Sequence, residues 1–373
     1  MKKVLFISNV LSHIEVFHQP YIEWFHQQGY TVHIMTNAGG KTVPFCEKLY
    51  DLGIERSPFN LHNIAVIKQA KRIIDEEKYD IVHCHTPMGG VVGRISSRTA
   101  RKNGTKVIYT AHGFHFYKGA PMINWLLYYT MERILARMTD CVITINSEDY
   151  NRANDKFRNN NLQICKIDGI GVDISRFSKP TDEEKIDLKA KYGYSDKFLL
   201  IYAAEFIPRK NHIFFINALP ELIKVCPNIR VLFAGKGIQM DEMQEIINQR
   251  GLSEYVCFLG FCHNMPELYK MSDVVISASI EEGFGINIIE GMASGLPTVA
   301  SIVRGHKEMV KPNENGYLFD VNKPDQFCNA VRSLYSDSQI YSTLSDCALL
   351  TANHFSTEHS LEQMSAIYKK YIS

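Results

Sequence analysis

The sequence lacks three features that would each mark a different class of protein. Its 373 residues carry 41 Lys and Arg against 40 Asp and Glu, and this balance argues against a general polyanion binder, which would be strongly basic. Its nine cysteines include no C-x-x-C pair, which favours reduced thiols over a disulfide framework or a zinc site. No run of 18 apolar residues occurs, so no membrane-spanning segment is expected. We therefore expect a cytoplasmic protein that does not have nucleic acid as its main partner.

Short apolar runs alternate with amphipathic stretches along the chain, which is the pattern of βαβ units with parallel sheets. The first predicted strand, Val4–Ser8, is followed by polar residues without a small-residue cleavage site, which favours a buried strand over a signal peptide. Further strands are predicted at Thr31–Thr36, Ile81–His85, Lys106–Thr110, Cys141–Asn146, Phe198–Ala203, Arg230–Ala234, Val256–Leu259, Val274–Ala278 and Thr298–Ala300. Helices are predicted between them, among others at Phe17–Gln28, Val66–Glu77, Trp125–Met138 and Ile288–Ala293.

The alternating pattern stops and restarts once, which predicts two α/β domains. The restart follows Gly169 and Gly171, and glycines suit a hinge because they adopt backbone angles that other residues resist. We place the first domain at residues 1–170 and the second at residues 171–355. Residues 356–373 form a C-terminal helical segment that could pack back on the first domain. Ligands of such open sheets bind beyond the carboxyl ends of the strands, where helix N-termini attract anions.

The segment Ser277–Ser301 holds a glycine-containing loop between a predicted strand and a predicted helix. Glycines there allow backbone N–H groups to approach a diphosphate at the helix N-terminus. Glu282 lies in the loop, and Glu290 lies eight residues later, within the helix. Acidic side chains beside a phosphate site suit the neutral hydroxyls of a sugar. An ordinary strand–turn–helix with solvent-facing glutamates would show the same spacing, so the pattern alone leaves both readings open.

Two adjacent cations, Arg209 and Lys210, follow another predicted strand and precede a helix. Cations in this place suit a pyrophosphate whose negative charge grows as a glycosidic bond breaks. A charged surface turn is the alternative. Further along, Gly235 and Gly237 form a G-x-G turn after a third strand.

Taken together, these segments resemble the E-x7-E pattern of family 4 of the retaining glycosyltransferases. Those enzymes have the GT-B fold, in which two Rossmann-like domains face a central cleft, and the similarity extends from Val4 to Leu318. The resemblance implies that Lys210 contacts the phosphates, that Glu290 contacts the ribose hydroxyls and that the G-x-G turn lies near the nucleotide. Donor-sugar contacts are implied for Glu282 and for the loop amides of Gly283, Phe284 and Gly285.

The chain departs from the family pattern at Glu205, where many members carry Arg. Arg209 could supply the missing second charge. The first loop also lacks the paired glycines that many members have near the acceptor.

The first half supplies histidines after its strands. His112 follows a predicted strand directly, and a neutral imidazole can donate a hydrogen bond to a sugar hydroxyl. Family members similarly place a histidine after this strand, beside the transferred sugar, so we assign that role to His112 with structural packing as the alternative. The acceptor candidates are Asn9, His13, His85 and His115.

The stretch Pro121–Met138 is rich in apolar and aromatic residues and has Lys118, Arg133 and Arg137 nearby. It is either an amphipathic core helix or an interfacial helix that reaches a lipid-linked acceptor.

The resemblance implies a retaining transfer, and the cations and helix N-terminus at the donor site predict that it requires no cofactor and no metal. No D-x-D triplet occurs in the sequence, a motif with which many glycosyltransferases hold a divalent ion. The similarity to enzymes of capsule and exopolysaccharide synthesis implies a UDP-hexose or UDP-N-acetylhexosamine donor. It also implies an undecaprenyl-diphosphate-linked or other glycan acceptor, at the inner face of the cell membrane. The alternatives are a UDP-sugar epimerase of the same fold and a non-catalytic subunit that binds a nucleotide sugar.

Overall fold

The structure is a computed structural model that describes residues 1–157 and 161–372. The chain divides into two compact units. Unit 1 comprises Met1–Gly171 together with the segment that begins at Thr357, and unit 2 comprises Val172–Ser356.

Unit 1 contains a seven-stranded sheet whose neighbouring strands are all parallel. Its strands are β1 (Lys3–Ile7), β2 (Thr31–Thr36), β3 (Lys48–Asp51), β4 (Ile81–His85), β5 (Lys106–Ala111), β6 (Cys141–Thr144) and β7 (Gln163–Lys166). Their spatial order is β3-β2-β1-β4-β5-β6-β7. Strands β1, β4 and β6 are buried almost throughout, as expected for a parallel sheet that is covered on both faces.

The helices of unit 1 that precede unit 2 in the chain mostly connect these strands. They are α1 (Leu11–Phe17), α2 (Gln19–Gln27), α3 (His62–Glu77), α4 (Pro87–Ser96), α5 (Arg98–Lys102), α6 (Met122–Asn124), α7 (Thr130–Leu135) and α8 (Ser147–Lys156). A π-helical turn at Trp125–Tyr129 joins α6 to α7, and a 3₁₀ turn at Ala136–Met138 follows. Residues 122–138 are therefore helical throughout, in several geometries.

The structure differs from the sequence predictions for unit 1 in two places. The predicted helix Phe17–Gln28 begins instead at Gln19, as α2, because Pro20 lacks a backbone N–H and favours the first turn of a helix. The helix α1, which ends at Phe17, was not predicted. The strands β3 and β7 were not predicted. Both are four-residue strands at the two edges of the sheet and are only partly buried, so neither carries the continuous apolar run of a central strand.

Unit 2 contains a six-stranded sheet, also parallel throughout. Its strands are β8 (Phe198–Ala203), β9 (Ile229–Ala234), β10 (Val256–Gly260), β11 (Val274–Ser277), β12 (Thr298–Ser301) and β13 (Gly316–Phe319). Their spatial order is β10-β9-β8-β11-β12-β13. The edge strand β13 was not predicted as a strand.

Helices connect the strands of unit 2 and cover its sheet. They are α9 (Asp182–Lys191), α10 (His212–Val225), α11 (Met240–Gln249), α12 (Met265–Met271), α13 (Ile286–Ala293), α14 (Arg304–Met309), α15 (Pro324–Ser336) and α16 (Ser338–His354). Short 3₁₀ turns lie at Ile174–Arg176 and Pro208–Lys210.

Both sheets have the doubly wound order of a Rossmann-like domain, which confirms the predicted α/β fold class. The strand order reverses between β1 and β4 in unit 1 and between β8 and β11 in unit 2. Crevices for ligands form beyond the carboxyl ends of the strands at such points.

The last helix, α17 (Thr357–Tyr368), belongs to unit 1, although it follows unit 2 in the chain. The hydroxyl of Tyr368 lies 2.7 Å from Nδ1 of His83 in β4, and the hydroxyls of Tyr21 and Ser360 lie 2.6 Å apart. These contacts are buried, so α17 supplies hydrogen-bond partners for His83 and Tyr21 inside unit 1. Within residues 1–157 and 161–372, no helix has both the length and the apolar character needed to cross a bilayer.

A buried ion pair fixes α4 to α7 inside unit 1. Arg94 is fully buried and donates two hydrogen bonds to the carboxylate of Glu132, at 2.7 and 3.0 Å. Its guanidinium also lies 3.8 Å from the ring centroid of Tyr109 and donates to the carbonyl of Gly90 at 2.8 Å. Removing one partner of such a pair leaves an uncompensated buried charge.

We predict that Glu132→Ala lowers the free energy of unfolding of unit 1 by about 3–5 kcal/mol. Tryptophan fluorescence during urea unfolding measures this effect, because Trp24 and Trp125, the two tryptophans of the chain, both lie in unit 1. The matched control is Lys71→Ala, which breaks a more exposed i,i+4 pair with Asp75 and should cost less than about 1 kcal/mol. Equal effects of the two substitutions would contradict the prediction.

Candidate functional site

In unit 2, two loops meet beyond the carboxyl ends of the neighbouring strands β8 and β11. The backbone N–H of Ile280 donates to the carbonyl of Arg209 at 2.9 Å. The side-chain amide of Asn211 donates to the carbonyl of Ala278 at 3.2 Å. The predicted cation pair and the predicted glutamate loop, about 70 residues apart in the sequence, are thereby held side by side.

Glu282 is the centre of this loop pair. Its side chain is buried, and one carboxylate oxygen accepts from the hydroxyl of Ser279 at 2.9 Å. The same oxygen forms an ion pair with Nζ of Lys210, and the other lies 3.4 Å from a guanidinium nitrogen of Arg209. The carboxylate thus holds both cations at the end of β8. Arg209 remains about half exposed, whereas Lys210 is mostly sheltered.

A buried tyrosine contacts both of the loops that carry Lys210 and Glu282. The hydroxyl of Tyr202, in β8, donates to the carbonyl of Lys210 at 2.8 Å and lies 3.0 Å from the hydroxyl of Ser279. Tyr202 therefore positions both the lysine backbone and the serine that binds Glu282. Neither Tyr202 nor Ser279 was identified from the sequence, because a tyrosine in an apolar strand looks like ordinary core.

The loop Glu282–Gly285 leads into α13 and rests on α14. The N–H of Gly305 donates to the carbonyl of Glu282 at 3.0 Å, and a Cβ on Gly305 would lie 2.8–2.9 Å from the loop backbone. Only glycine therefore allows this close packing. Gly283, Phe284 and the N-cap residue Gly285 follow Glu282 directly at the start of α13. Gly305 is a supporting residue that the sequence analysis missed.

Glu290 lies on the second turn of α13 and is largely buried. Its carboxylate accepts from the hydroxyl of Tyr269 at 3.1 Å. Burial raises the pKa of Glu290 to about 7, although the bond from Tyr269 and the charge of Arg176 act in the opposite direction. Arg176 was not identified from the sequence either, since it lies more than 100 residues before α13.

Gly235 and Gly237 follow β9 and pack against the loop after β8. A Cβ on Gly235 would overlap the carbonyl oxygen of Ala204, and one on Gly237 would overlap the backbone of Phe206. These glycines are thus required by the close approach of two backbone segments. Glu205, the residue that departs from the family pattern, is exposed in that neighbouring loop.

In unit 1, three of the predicted histidines lie together beyond β4 and β5. The ring centroid of His112 is 4.4 Å from that of His13 and 5.8 Å from that of His85. His112 follows β5 directly, His85 ends β4, and His13 lies in α1. A fourth histidine, His18, stacks on His85 at 3.6 Å. The sequence analysis missed His18 because it placed this residue inside a continuous helix.

The remaining acceptor candidates, Asn9 and His115, line a cavity of unit 1. This cavity has a volume of about 320 Å³ and is also bordered by Arg56, Thr86 and Tyr128. His115 is exposed, and its ring centroid lies 4.9 Å from that of Tyr128.

Comparison with known proteins shows the family to which the chain belongs. Residues 3–146 match the family model described as "Glycosyl transferase 4-like", and residues 184–348 match the one described as "Glycosyl transferases group 1". A Bacillus subtilis (strain 168) relative, "Putative glycosyltransferase EpsD", is 43% identical over 372 residues, which are 100% of this chain and 97% of the relative. The chain belongs to the family 4-like glycosyltransferases of the GT-B fold.

Two further comparisons concern this glycosyltransferase. The Escherichia coli enzyme "UDP-Gal:alpha-D-GlcNAc-diphosphoundecaprenol alpha-1,3-galactosyltransferase" is 27% identical over 320 residues, covering 83% of this chain and 82% of that enzyme. The crystal structure of Anabaena Alr3699/HepE in complex with UDP superposes with a TM-score of 0.77 and 21% identity, covering 99% of this chain and 100% of that one. The structural match supports the fold assignment, and the family assignment makes the chain a transferase enzyme.

The raised pKa of Glu290 predicts a pH-dependent stability of this glycosyltransferase. A glutamate in an unfolded chain titrates near about 4.3, and burial raises the folded value to about 7. The resulting stabilisation is fully present below about pH 4.3 and is lost as the pH rises through 7. Glu290→Gln removes this titration. We therefore expect the free energy of unfolding of the variant to increase relative to that of wild type as the pH rises from 5 to 8.

Differential scanning calorimetry at several pH values measures this difference. Between pH 5 and pH 8, the difference in the free energy of unfolding between variant and wild type should change by at most about 3 kcal/mol, because one pKa unit corresponds to about 1.4 kcal/mol. Glu314→Gln, at an exposed position, is the matched control and should remain parallel to wild type. A Glu290→Gln curve that is also parallel to wild type would contradict the prediction.

Proposed function

We propose that this glycosyltransferase moves a hexosyl or N-acetylhexosaminyl group from a UDP-sugar to a lipid-linked glycan in bacterial surface polysaccharide synthesis. The transfer retains the anomeric configuration and needs no divalent metal. The two loops of unit 2 hold the diphosphate of the donor.

The observation that carries the proposal is the convergence of Arg209 and Lys210 on the loop before α13. Two cations and a helix N-terminus in one place match the diphosphate of a nucleotide sugar. When the glycosidic bond breaks, negative charge develops on the leaving phosphate, and fixed cations stabilise it without reorganisation. These groups supply the charge that a divalent ion supplies in other transferases.

The acidic residues of the site fit neutral hydroxyl groups. The Glu282 carboxylate offers acceptor oxygens for the hydroxyls of the donor sugar, and its contacts with Lys210 and Ser279 keep it in place. Glu290 offers the same for the ribose of the nucleotide. Carboxyl oxygens accept hydrogen bonds from hydroxyl groups, so both acids favour a polyhydroxylated ligand.

His112 supplies a neutral donor from unit 1. Burial, reinforced by the neighbouring His13 and His83, lowers the pKa of His112 well below its usual value. The ring is therefore uncharged at neutral pH and can donate to a hydroxyl of the transferred sugar. The proposed course is attack by the acceptor hydroxyl on the face from which the nucleotide leaves, with the departing phosphate accepting the acceptor's proton.

The relatives support the identity of the donor and of the acceptor. The Escherichia coli enzyme is named for a UDP-galactose donor and a diphosphoundecaprenol acceptor, and the Anabaena structure holds UDP. The name of the Bacillus subtilis relative specifies neither substrate. The choice of uridine and of a lipid-linked acceptor rests on the first two proteins.

An exposed apolar surface on unit 1 supports contact with a membrane that contains such an acceptor. Met122 and Leu126 are 82% and 68% exposed, and Leu61 is 78% exposed. The segments that carry them flank the 320 Å³ cavity, which Pro58 and Tyr128 border. The other exposed apolar residues of this membrane-contact surface are Phe59, Ile64, Ile123 and Leu127. Lys68, Lys118 and Arg133 are exposed nearby in the sequence, a combination typical of interfacial segments on anionic lipid.

Activity assays in EDTA test the proposed transfer. With a UDP-sugar and an undecaprenyl-diphosphate-linked acceptor, we expect UDP release and a glycosylated lipid whose new bond has the donor's anomeric configuration. Lys210→Ala and Glu282→Ala should each lower kcat by about 100- to 1000-fold, because each removes a group aimed at the reacting donor. Lys224→Ala, which removes an exposed lysine of α10, is the charge-matched control and should retain wild-type turnover.

Three outcomes would contradict the proposal. A strict requirement for magnesium would contradict the proposal that the transfer needs no divalent metal. Near-normal turnover of Lys210→Ala would contradict the assignment of Lys210 to the donor site. A changed UDP-sugar without any glycosylated lipid would instead identify an epimerase.

Sedimentation with phosphatidylglycerol vesicles tests the membrane-contact surface. The double substitution Met122→Ser/Leu126→Ser should weaken binding by at least tenfold, because burying one such side chain contributes about 1.5–3 kcal/mol. Leu350→Ser, which alters a residue of α16 that is 71% exposed, is the matched control and should bind as wild type. Unchanged binding of the double variant would exclude this surface.

A further inference from the structure

Unit 1 contains a histidine cluster formed by His13, His18, His85 and His112. The ring centroids of His13 and His18 are 4.9 Å apart, and those of His18 and His112 are 5.5 Å apart. His18 and His85 are stacked. These four side chains come from α1, from the junction of α1 and α2, from the end of β4 and from the residue after β5. Four separate segments therefore bring imidazoles to one point.

Most of the ring nitrogens in the histidine cluster are sheltered from solvent without a hydrogen-bond partner among the described residues. This holds for both nitrogens of His112, both of His85 and Nδ1 of His18. One direct contact is present, because Nε2 of His18 lies 3.1 Å from Nδ1 of His13. Buried polar atoms in proteins are nearly always paired, so the unpaired nitrogens of this cluster, which include both of His112, indicate a ligand.

Three of these histidines have the geometry of a metal site. His13, His18 and His112 each offer one ring nitrogen, and these three atoms lie within 4.8 Å of one another. Zinc–imidazole bonds are about 2.0–2.1 Å long, so two nitrogens on a tetrahedral ion are about 3.4 Å apart. The pair His13–His18 is already this close, and His112 needs a shift of only about an ångström for the same geometry.

The protonation state of the cluster suits metal binding. Burial lowers the pKa of His13 to about 4. Burial, together with the neighbouring imidazoles, lowers the pKa values of His18 and His112 well below the usual range. A neutral imidazole ring presents the lone pair that a metal requires. Imidazole ligands suit zinc, copper and nickel, whereas magnesium prefers oxygen.

We propose that His13, His18 and His112 bind one transition-metal ion such as Zn²⁺ in unit 1. The site uses none of the residues that hold the donor diphosphate in unit 2. His85 acts as a positioning residue, since its ring stacks on His18 and fixes the direction in which that ligand points.

One consequence rests on the proposed function. His112 cannot bind a metal and donate from the same nitrogen to a donor sugar. Zinc at this site should therefore inhibit sugar transfer, although the transfer itself needs no metal. The ion would act as a regulator that occupies His112.

Titration of the full chain, without a histidine tag, with Zn²⁺ in competition with a chromophoric chelator tests the site. We expect one tightly bound ion per chain. Loss of a group that merely supports a ligand already weakens metal binding 10- to 100-fold, so His13→Gln and His18→Gln should each weaken it at least tenfold. Visible absorption of bound Co²⁺ should show nitrogen coordination in wild type and lose it in both variants.

The matched control is His359→Gln. This histidine lies in α17, where Nε2 is 3.7 Å from the carboxylate of Asp168, so it too could attract a metal. The His359→Gln variant should bind Zn²⁺ with wild-type affinity. Tryptophan fluorescence verifies that unit 1 of each variant is folded, and His13→Gln, at a partly exposed position, decides the question if His18→Gln fails to fold. Wild-type affinity in a folded His13→Gln variant, or loss of binding in His359→Gln, overturns the proposal.

A transferase assay distinguishes zinc binding at the histidine cluster from the effect of zinc on sugar transfer. Zinc should lower wild-type turnover, and His13→Gln should be inhibited only at a tenfold or greater zinc concentration. Zinc binding at the cluster without inhibition would overturn the inhibition through His112 and leave the metal site standing. An inactive wild-type protein that still binds zinc through His13 would contradict the proposed function and not the site.

Discussion

Both units depend on the same constraint, which is that a parallel sheet covered by helices on both faces has little room for polar side chains within its strands. In β4, for example, His83 is tolerated because its two nitrogens lie 2.8 Å from the hydroxyl of Thr110 and 2.7 Å from that of Tyr368. Polar residues without such partners must lie where the strands end. Since all strands of a sheet point the same way, their following loops gather at one edge. The histidines of unit 1 and the charged loops of unit 2 occupy those edges for this reason.

The charged site of unit 2 shows how a protein can hold like charges close together before any ligand binds. Arg209 and Lys210 are neighbours in the chain and would repel each other in a dry environment. Glu282 offsets that repulsion, and Ser279 and Tyr202 hold the carboxylate and the lysine backbone in register. An anionic ligand that enters this site exchanges one set of favourable contacts for another. Under the proposed function, a phosphate would compete with this buried carboxylate for the two cations, whereas a sugar hydroxyl would donate a hydrogen bond to it.

The sequence supported the fold class and the separate parts of the site, because these depend on local pattern. The apolar run before His112 and the glycine loop before Ile286 are readable within a dozen residues. Contacts across the chain were not accessible in this way. Gly305 supports a loop that lies about 20 residues earlier in the sequence. The charge of Arg176 lowers the pKa of Glu290 from a different element. Tyr368 of α17 contacts His83 of β4, although all of unit 2 lies between them in the sequence. His18 was missed for a local reason, since the effect of Pro20 on helix continuity outweighed the apolar periodicity around it.

The path of the chain through unit 1 has a consequence for the order in which the protein is made. The chain leaves unit 1 at Gly171 and returns to it at Thr357. A ribosome therefore delivers all of unit 2 before it delivers α17, and domains fold as units during synthesis. Until then, Tyr21 and His83 lack the hydroxyls of Ser360 and Tyr368, and the face of unit 1 that α17 covers stays open. Unit 1, whose larger part is translated first, is thus the last unit to be completed. The face that α17 covers stays exposed to solvent while nearly 200 further residues are translated.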